Sequence, residues 1–127
     1  MAHQQLILCD TNIIIEFYKN NETVISELQN IGQENIAISV ITVAELIYGA
    51  FNKKELGQIL KDTSNLQVLH INQEIGELHL ELMTTFSLSH NLTLPDALIG
   101  ATALVNEIPL YTLNKKDFKY IPRINLY

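Results

Sequence analysis

A single cysteine, Cys9, leaves no internal disulfide to be made, and its place at the end of a run of leucine and isoleucine marks it as a small core residue. Only three prolines and five glycines punctuate the 127 residues, and no stretch is repeated or of low complexity. Nothing therefore suggests a linker, and residues 1–127 read as one domain. No apolar run reaches the roughly 18 residues of a membrane span, because Asn, Glu, Thr or Gly interrupts each. The first residues lack a basic cluster, and the apolar stretch behind them meets Asp10 almost at once, unlike a secretory signal. A cytoplasmic protein without a membrane segment is the expectation. Charge is sparse as well, at 17% against 47% hydrophobic residues, which excludes a disordered chain or a coiled coil and supplies a continuous core. Basic residues are scarcest, eight against fourteen acids for a net charge of −6, a poor overall match for a polyanion. Yet Lys115, Lys116, Lys119 and Arg123 all fall in the last thirteen positions, so a local basic edge can form.

What is present alternates between short apolar runs and helical periodicity. Leu6-Ile7-Leu8-Cys9, Ile36-Ala37-Ile38, Gln67-Val68-Leu69 and Leu110-Tyr111-Thr112 read as buried strands, and the tail around Ile124 as a short edge strand. Between them the pattern predicts helices over about 12–20, 22–31, 42–51, 55–62, 73–89 and 95–106. Ile75, Leu78, Leu82 and Phe86 line the inner side of the fifth. Strands alternating with helices imply an α/β fold with a central, mainly parallel sheet of four to five strands and helices on both faces. Ligands bind such sheets beyond the carboxyl ends of their strands.

Three acids do not suit their surroundings. Asp10 is the only charge before Glu16, Glu45 the only one between Glu34 and Lys53, and Asp96 the only one between Glu81 and Glu107. A buried carboxylate costs several kcal/mol unless it is paired or bound to a metal. Each has an ordinary alternative: Asp10 can cap the helix that follows it, and Thr42-x-x-Glu45 and Thr93-x-x-Asp96 both match a capping box. No basic residue is near any of the three in sequence, however, and the fold can bring all three helix beginnings to one end of the sheet. Convergent carboxylates need a cation. Mg²⁺ or Mn²⁺ suits carboxylate oxygens and leaves room for phosphate, which points to phosphodiester hydrolysis. Asp117, after the fourth strand, is a fourth candidate, although an Asp beside two lysines in a polar loop is ordinarily just solvated.

With these residues in order, the sequence resembles the PIN-domain family, and within it the VapC-type toxin ribonucleases. The resemblance rests on the strand ending in Asp10-Thr11-Asn12, on Ser39-x-x-Thr42-x-x-Glu45-Leu46-x-x-Gly49, on Pro95-Asp96-Ala97-Leu98-Ile99-Gly100-Ala101-Thr102-Ala103, and on Thr112-x-Asn114-x-x-Asp117-Phe118. It covers almost the whole chain. It implies acids meeting in a cleft, Mg²⁺ or Mn²⁺, endonucleolytic cleavage of RNA, a homodimer, and a cognate antitoxin in a type II toxin-antitoxin pair. Asp10 and Asp96 would bind metal most directly, with Glu45 and Asp117 completing the site directly or through water. Some members carry the fourth acid at the place of Asn114; here that residue is neutral, so Asp117 takes the role. Thr11, Asn12 and Thr112, with Asn114, are the supporting polar residues, able to orient waters or the scissile phosphate.

Other readings are plainer. His79 reads as a satisfied structural histidine, and His3, His70 and His90 have no metal-ligand spacing. Tyr48 and Phe51 read as core or dimer contacts, and Glu74, Glu77 and Glu81 as a solvated face. Two rival functions stand beside the nuclease. One is a non-catalytic PIN-fold module that binds protein, suggested by the net acidity and Asn114. The other is a phosphoacceptor built on Asp10, for which Asn12 lacks the acid two residues on. Neither a Gly-rich dinucleotide fingerprint nor a P-loop is present.

Overall fold

The computed structural model describes residues 5–127, so His3 lies outside it. Four strands, β1 (Ile7–Cys9), β2 (Ile36–Ser39), β3 (Gln67–Leu69) and β4 (Leu110–Tyr111), form one parallel sheet in the order β3-β2-β1-β4. Six helices connect them: α1 (Thr11–Tyr18), α2 (Glu22–Ile31), α3 (Val40–Tyr48), α4 (Lys53–Ser64), α5 (Gln73–His90) and α6 (Leu94–Asn106). This is the α/β arrangement expected from the alternating pattern.

Side chains alternate across each strand, and that alternation divides the core in two. Leu8, Ala37 and Leu110 face α5, α6 and the tail, where Ile75, Leu82, Ile99, Phe118 and Ile121 bury themselves. Ile7, Cys9, Ile36, Ile38 and Tyr111 face the other way, onto Ile13, Val24, Leu28, Leu46 and Ile59 of α1 to α4. Cys9 is wholly buried among them, as anticipated, and burial pushes its thiol up to about 12. Within the helix α5, Ile75 and Leu82 are fully buried, while Leu78 and Phe86 are partly so.

Some boundaries differ from expectation for local reasons. Helix α3 starts at Val40, because β2 runs straight into it and Ser39, not Thr42, supplies the cap, its Oγ accepting from the Ile41 amide at 3.1 Å. The tail forms one bridge, Leu126 beside Leu110, and not a strand. Tyr48 and Phe51 are 93% and 89% exposed, which removes the core reading for both. Helical spacing shows that two residues share a face, not that anything covers it. His79 is not satisfied either: its Nε2 is buried without a hydrogen-bond partner. Among the described residues no helix is long and apolar enough to cross a membrane.

The strand order places the site. From β1 the chain steps outward to β2 and β3, then returns through α5 and α6 to lay β4 on the other side of β1. The crevice beyond the carboxyl ends of β1 and β4 is thus the point where the winding reverses, the favoured place for a ligand in an open parallel sheet.

Candidate active site

Asp10 follows β1 directly and stands in that crevice, 6% exposed. Its backbone amide donates to Tyr111 of β4 at 2.9 Å, continuing the strand pairing by one residue. Its Oδ1 accepts from the Thr11 amide at 2.8 Å, so the capping role foreseen for it is real. Its Oδ2 accepts from the Thr112 hydroxyl at 2.8 Å. That hydroxyl in turn accepts from the Asn114 amide at 3.1 Å, which fixes the loop leaving β4. A carboxylate offers about four lone-pair positions, so two donors do not exhaust it.

Glu45 enters from the second turn of α3. Its Oε1 accepts from the Thr11 hydroxyl at 2.7 Å, and the Thr11 and Thr42 hydroxyls lie 2.9 Å apart. A hydroxyl has one proton. Thr11 gives its own to Glu45, so Thr42 is the donor to Thr11, and a chain Thr42, Thr11, Glu45 ties α3 to α1. Thr42 therefore belongs to this network and not to a capping box. Its wholly buried position could not be read from the sequence, which showed only a Thr three residues before a Glu.

Asp96 occupies the first turn of α6, whose cap is Thr93, the Thr93 hydroxyl accepting from the Asp96 amide at 3.3 Å. Because α6 runs down to the start of β4, its amino terminus lies at the carboxyl end of the sheet. Asp117 lies in a single 3-10 turn, Lys115–Asp117, that follows the loop from β4. Asn12 accepts from the Leu113 amide at 3.5 Å, at the outer limit of a hydrogen bond, across the same crevice.

The four acids sense one another. Burial raises the Asp10 carboxyl, the bonds from Thr112 and Thr11 lower it, and the charges of Glu45 and Asp117 raise it again. Asp96 is pushed up to about 6, first by burial, then by Asp10 and Asp117, with Thr93 offsetting in part and Glu45 adding to the rise. No basic side chain neutralises them: the one ion pair among the described residues joins Lys19 to Glu16 at 3.7 Å. Nor does any set of three His, Cys, Asp or Glu side chains among those residues close into a metal cage. The site is an open group of carboxylates with no basic side chain among the described residues paired to it.

A stability prediction arises here. With its folded pKa raised from 3.8 to about 6, Asp96 holds its proton more tightly in the folded chain than in the unfolded one. Stability from this group is therefore full at low pH and lost as pH rises through about 6. Asp96→Asn, which imitates the protonated acid, should make the metal-free chain more stable at neutral pH. Allowing for solvent screening of a half-buried group, the gain is about 1 kcal/mol, or about 4 °C in Tm. Thermal unfolding near the ordinary carboxyl pKa should show the two proteins converging; a constant difference at all pH values contradicts the assignment.

Lys115 and Lys116 flank Asp117 and are exposed, as is Lys119. Arg123 instead lines a groove with Glu74, Glu77, Glu81 and Glu107, so the basic edge beside the acids is made of the three lysines. The three helix glutamates are exposed, as foreseen. A groove of about 500 Å³ with Ile15, Tyr18, Leu46 and Ile59 on its walls and Lys19, Glu55 and Gln58 among its lining residues reaches Glu45.

Comparison with known proteins agrees with this fold. The PIN domain model matches residues 7–124. Ribonuclease VapC1 of Methanocaldococcus jannaschii is 30% identical, over 94% of this chain and 84% of its own length. Ribonuclease VapC2 of Rickettsia felis is 33% identical, over 95% of this chain and 96% of its own. A chain in the structure of a toxin-antitoxin complex from Klebsiella pneumoniae superposes with a TM-score of 0.79 at 32% identity, covering 93% of this chain and 94% of that one.

Proposed function

The chain belongs to the PIN-domain family, and from that premise we propose that it is the endoribonuclease toxin of a type II toxin-antitoxin pair, hydrolysing RNA phosphodiester bonds with Mg²⁺ or Mn²⁺. The observation that carries this reading is Asp10: a nearly buried carboxylate at the reversal point of a parallel sheet, raised by the charges of Glu45 and Asp117, itself raising Asp96, and in an ion pair with no base among the described residues. The residues fit such an ion. Carboxylate oxygens are the donors a hard cation takes, and the open arrangement leaves room for the waters and substrate phosphate that Mg²⁺ keeps. Asp10 and Asp96 would hold it most directly, with Glu45 and Asp117 in direct or water-mediated contact. When bound, the metal lowers the pKa of a water and stabilises charge on the leaving oxygen.

The chain's own residues supply the rest. Thr112 and Thr11 donate their protons to Asp10 and Glu45, so they fix the acids and do not donate to the phosphate. Asn12 and Asn114 retain side-chain amides that can donate to a bound strand. The lysines beside Asp117 offer charge to flanking phosphates. Asn114 does not favour the non-catalytic alternative, because Asp117 supplies the charge that reaches Asp10 and Asp96.

The complexes formed by its structural relatives support an antitoxin as partner, and the groove that reaches Glu45, apolar along Ile15, Leu46 and Ile59 with charged residues among its lining, suits an amphipathic helix. Exposed Tyr48 and Phe51 support a homodimer that would cover them. A cytoplasmic setting follows from an RNA substrate. Purified protein should cleave RNA with Mg²⁺ or Mn²⁺, stop on chelation and resume when metal is restored. Cleavage that survives chelation sinks the metal mechanism; no cleavage of any RNA with either ion favours the binding module.

A further inference from the structure

Two rings one turn apart on α5, Phe86 and His90, meet a third from the tail, Tyr120, beside the acids. Tyr120 stacks on His90 with centroids 4.1 Å apart and planes at 21°, and it lies 4.9 Å from Phe86. Phe86 meets His90 edge-on at 5.5 Å. The His90 Nδ1 is 2.7 Å from the Ser89 hydroxyl, so the imidazole is held by a hydrogen bond as well as by the stack. It is nevertheless exposed. The Tyr120 hydroxyl is buried without a partner, so the assembly is not organised around a polar contact.

The position follows from the fold. His90 ends α5 and Leu94 begins α6, so the imidazole stands at the same end of the sheet as Asp96. Tyr120 comes three residues after Asp117. Its neighbours Ile121 and Phe118 pack 3.4 and 3.8 Å from where a Cβ on Gly100 would stand, one turn along α6 from Asp96. The charges of Asp96 and Asp117 reach the Tyr120 phenol.

We infer that the exposed His90 ring, backed by Tyr120 and Phe86, is a nucleobase-stacking subsite that seats one nucleotide of the RNA strand beside the carboxylates. An ordered ring exposed to solvent is what single-stranded RNA recognition uses, and stacking accepts any base because each has a π-face. Lys115, Lys116 and Lys119 lie on the same stretch of chain to meet the adjoining phosphates. The inference rests on the ribonuclease reading above.

The test uses the full chain and a short fluorescein-labelled oligoribonucleotide of mixed sequence, with binding followed by anisotropy and cleavage by gel. His90→Ala should weaken binding about tenfold and raise KM with little change in kcat, the size expected for one lost base stack. Its Tm should move by less than about 2 °C, since the side chain is exposed. His90→Trp should bind more tightly than wild type, and Tyr120→Phe, which keeps the ring, should bind equally well. A fluorescent purine analogue in the oligonucleotide should be quenched by wild type and not by His90→Ala. An Ala variant that binds as tightly as wild type overturns the subsite, and so does a Trp variant that binds no better than Ala. If wild type cleaves RNA and His90→Ala matches it, the subsite alone fails; if wild type neither binds nor cleaves RNA, the ribonuclease reading fails with it.

Discussion

Asp10→Asn should lower RNA cleavage about 10³-fold, the scale seen when a preorganised charge at a reacting centre is removed, while leaving the chain folded. The folded state tolerates the change for reasons visible in the hydrogen bonds. The asparagine oxygen can still accept from the Thr11 amide, and its NH₂ can donate to Thr112 Oγ1 once that hydroxyl turns its proton away. Removing a charge that burial and two neighbouring acids disfavour also relieves strain on the metal-free chain, so Tm should hold or rise. The two measurements move apart: activity collapses while stability does not. Circular dichroism melts beside cleavage rates check it. Activity within tenfold of wild type would mean that Asp10 is a helix cap and little else.

Asp10, Glu45 and Asp96 stand out as candidates in the sequence because each is the only charge in a long uncharged segment, but the burial that makes an isolated carboxylate expensive without a cation applies in full only to Asp10. Asp117 was not legible in that way. Beside Lys115 and Lys116 it looks like any solvated loop residue, and only the family pattern singled it out. Its electrostatic reach to both Asp10 and Asp96 depends on how the loop after β4 folds back.

The strands and helices were readable from apolar runs and helical spacing, but contacts across long separations were not. Thr42 looked like a cap because the break between β2 and α3 was expected later than it occurs. With no loop there, Ser39 caps the helix and Thr42 turns inward to Thr11. The same limit hid the His90 stack: Phe86 and His90 share helical spacing, but Tyr120 reaches them from about thirty residues on. For Tyr48 and Phe51 only the core half of the reading falls, in the opposite sense. Their spacing is that of a covered face, yet nothing in this chain covers it.

Phe118→Ala should destabilise the chain by about 4 kcal/mol and lower Tm by about 15 °C, more than any change at the acids themselves. The ring is wholly buried among residues of α5, α6 and β4, in a close-packed core where losing it leaves a cavity. Its effect should reach the site as well. Phe118 anchors the stretch that begins at Thr112 and carries Asp117 and Tyr120, and its backbone closes two turns there, with its amide donating to Lys115 at 3.0 Å and its carbonyl accepting from Ile121 at 2.9 Å. Loosening that anchor leaves Asp10 at the end of β1 and Glu45 and Asp96 on α3 and α6 but releases the fourth acid. At a temperature well below the lowered Tm, cleavage should therefore fall by a factor close to that of Asp117→Asn, and adding Asp117→Asn to Phe118→Ala should cost little more. Phe118→Leu, which restores much of the volume, should recover most of both stability and activity. Full activity in a destabilised Phe118→Ala chain would show that Asp117 is held by something other than this ring, and a Tm loss below about 5 °C would show that the ring is not the anchor.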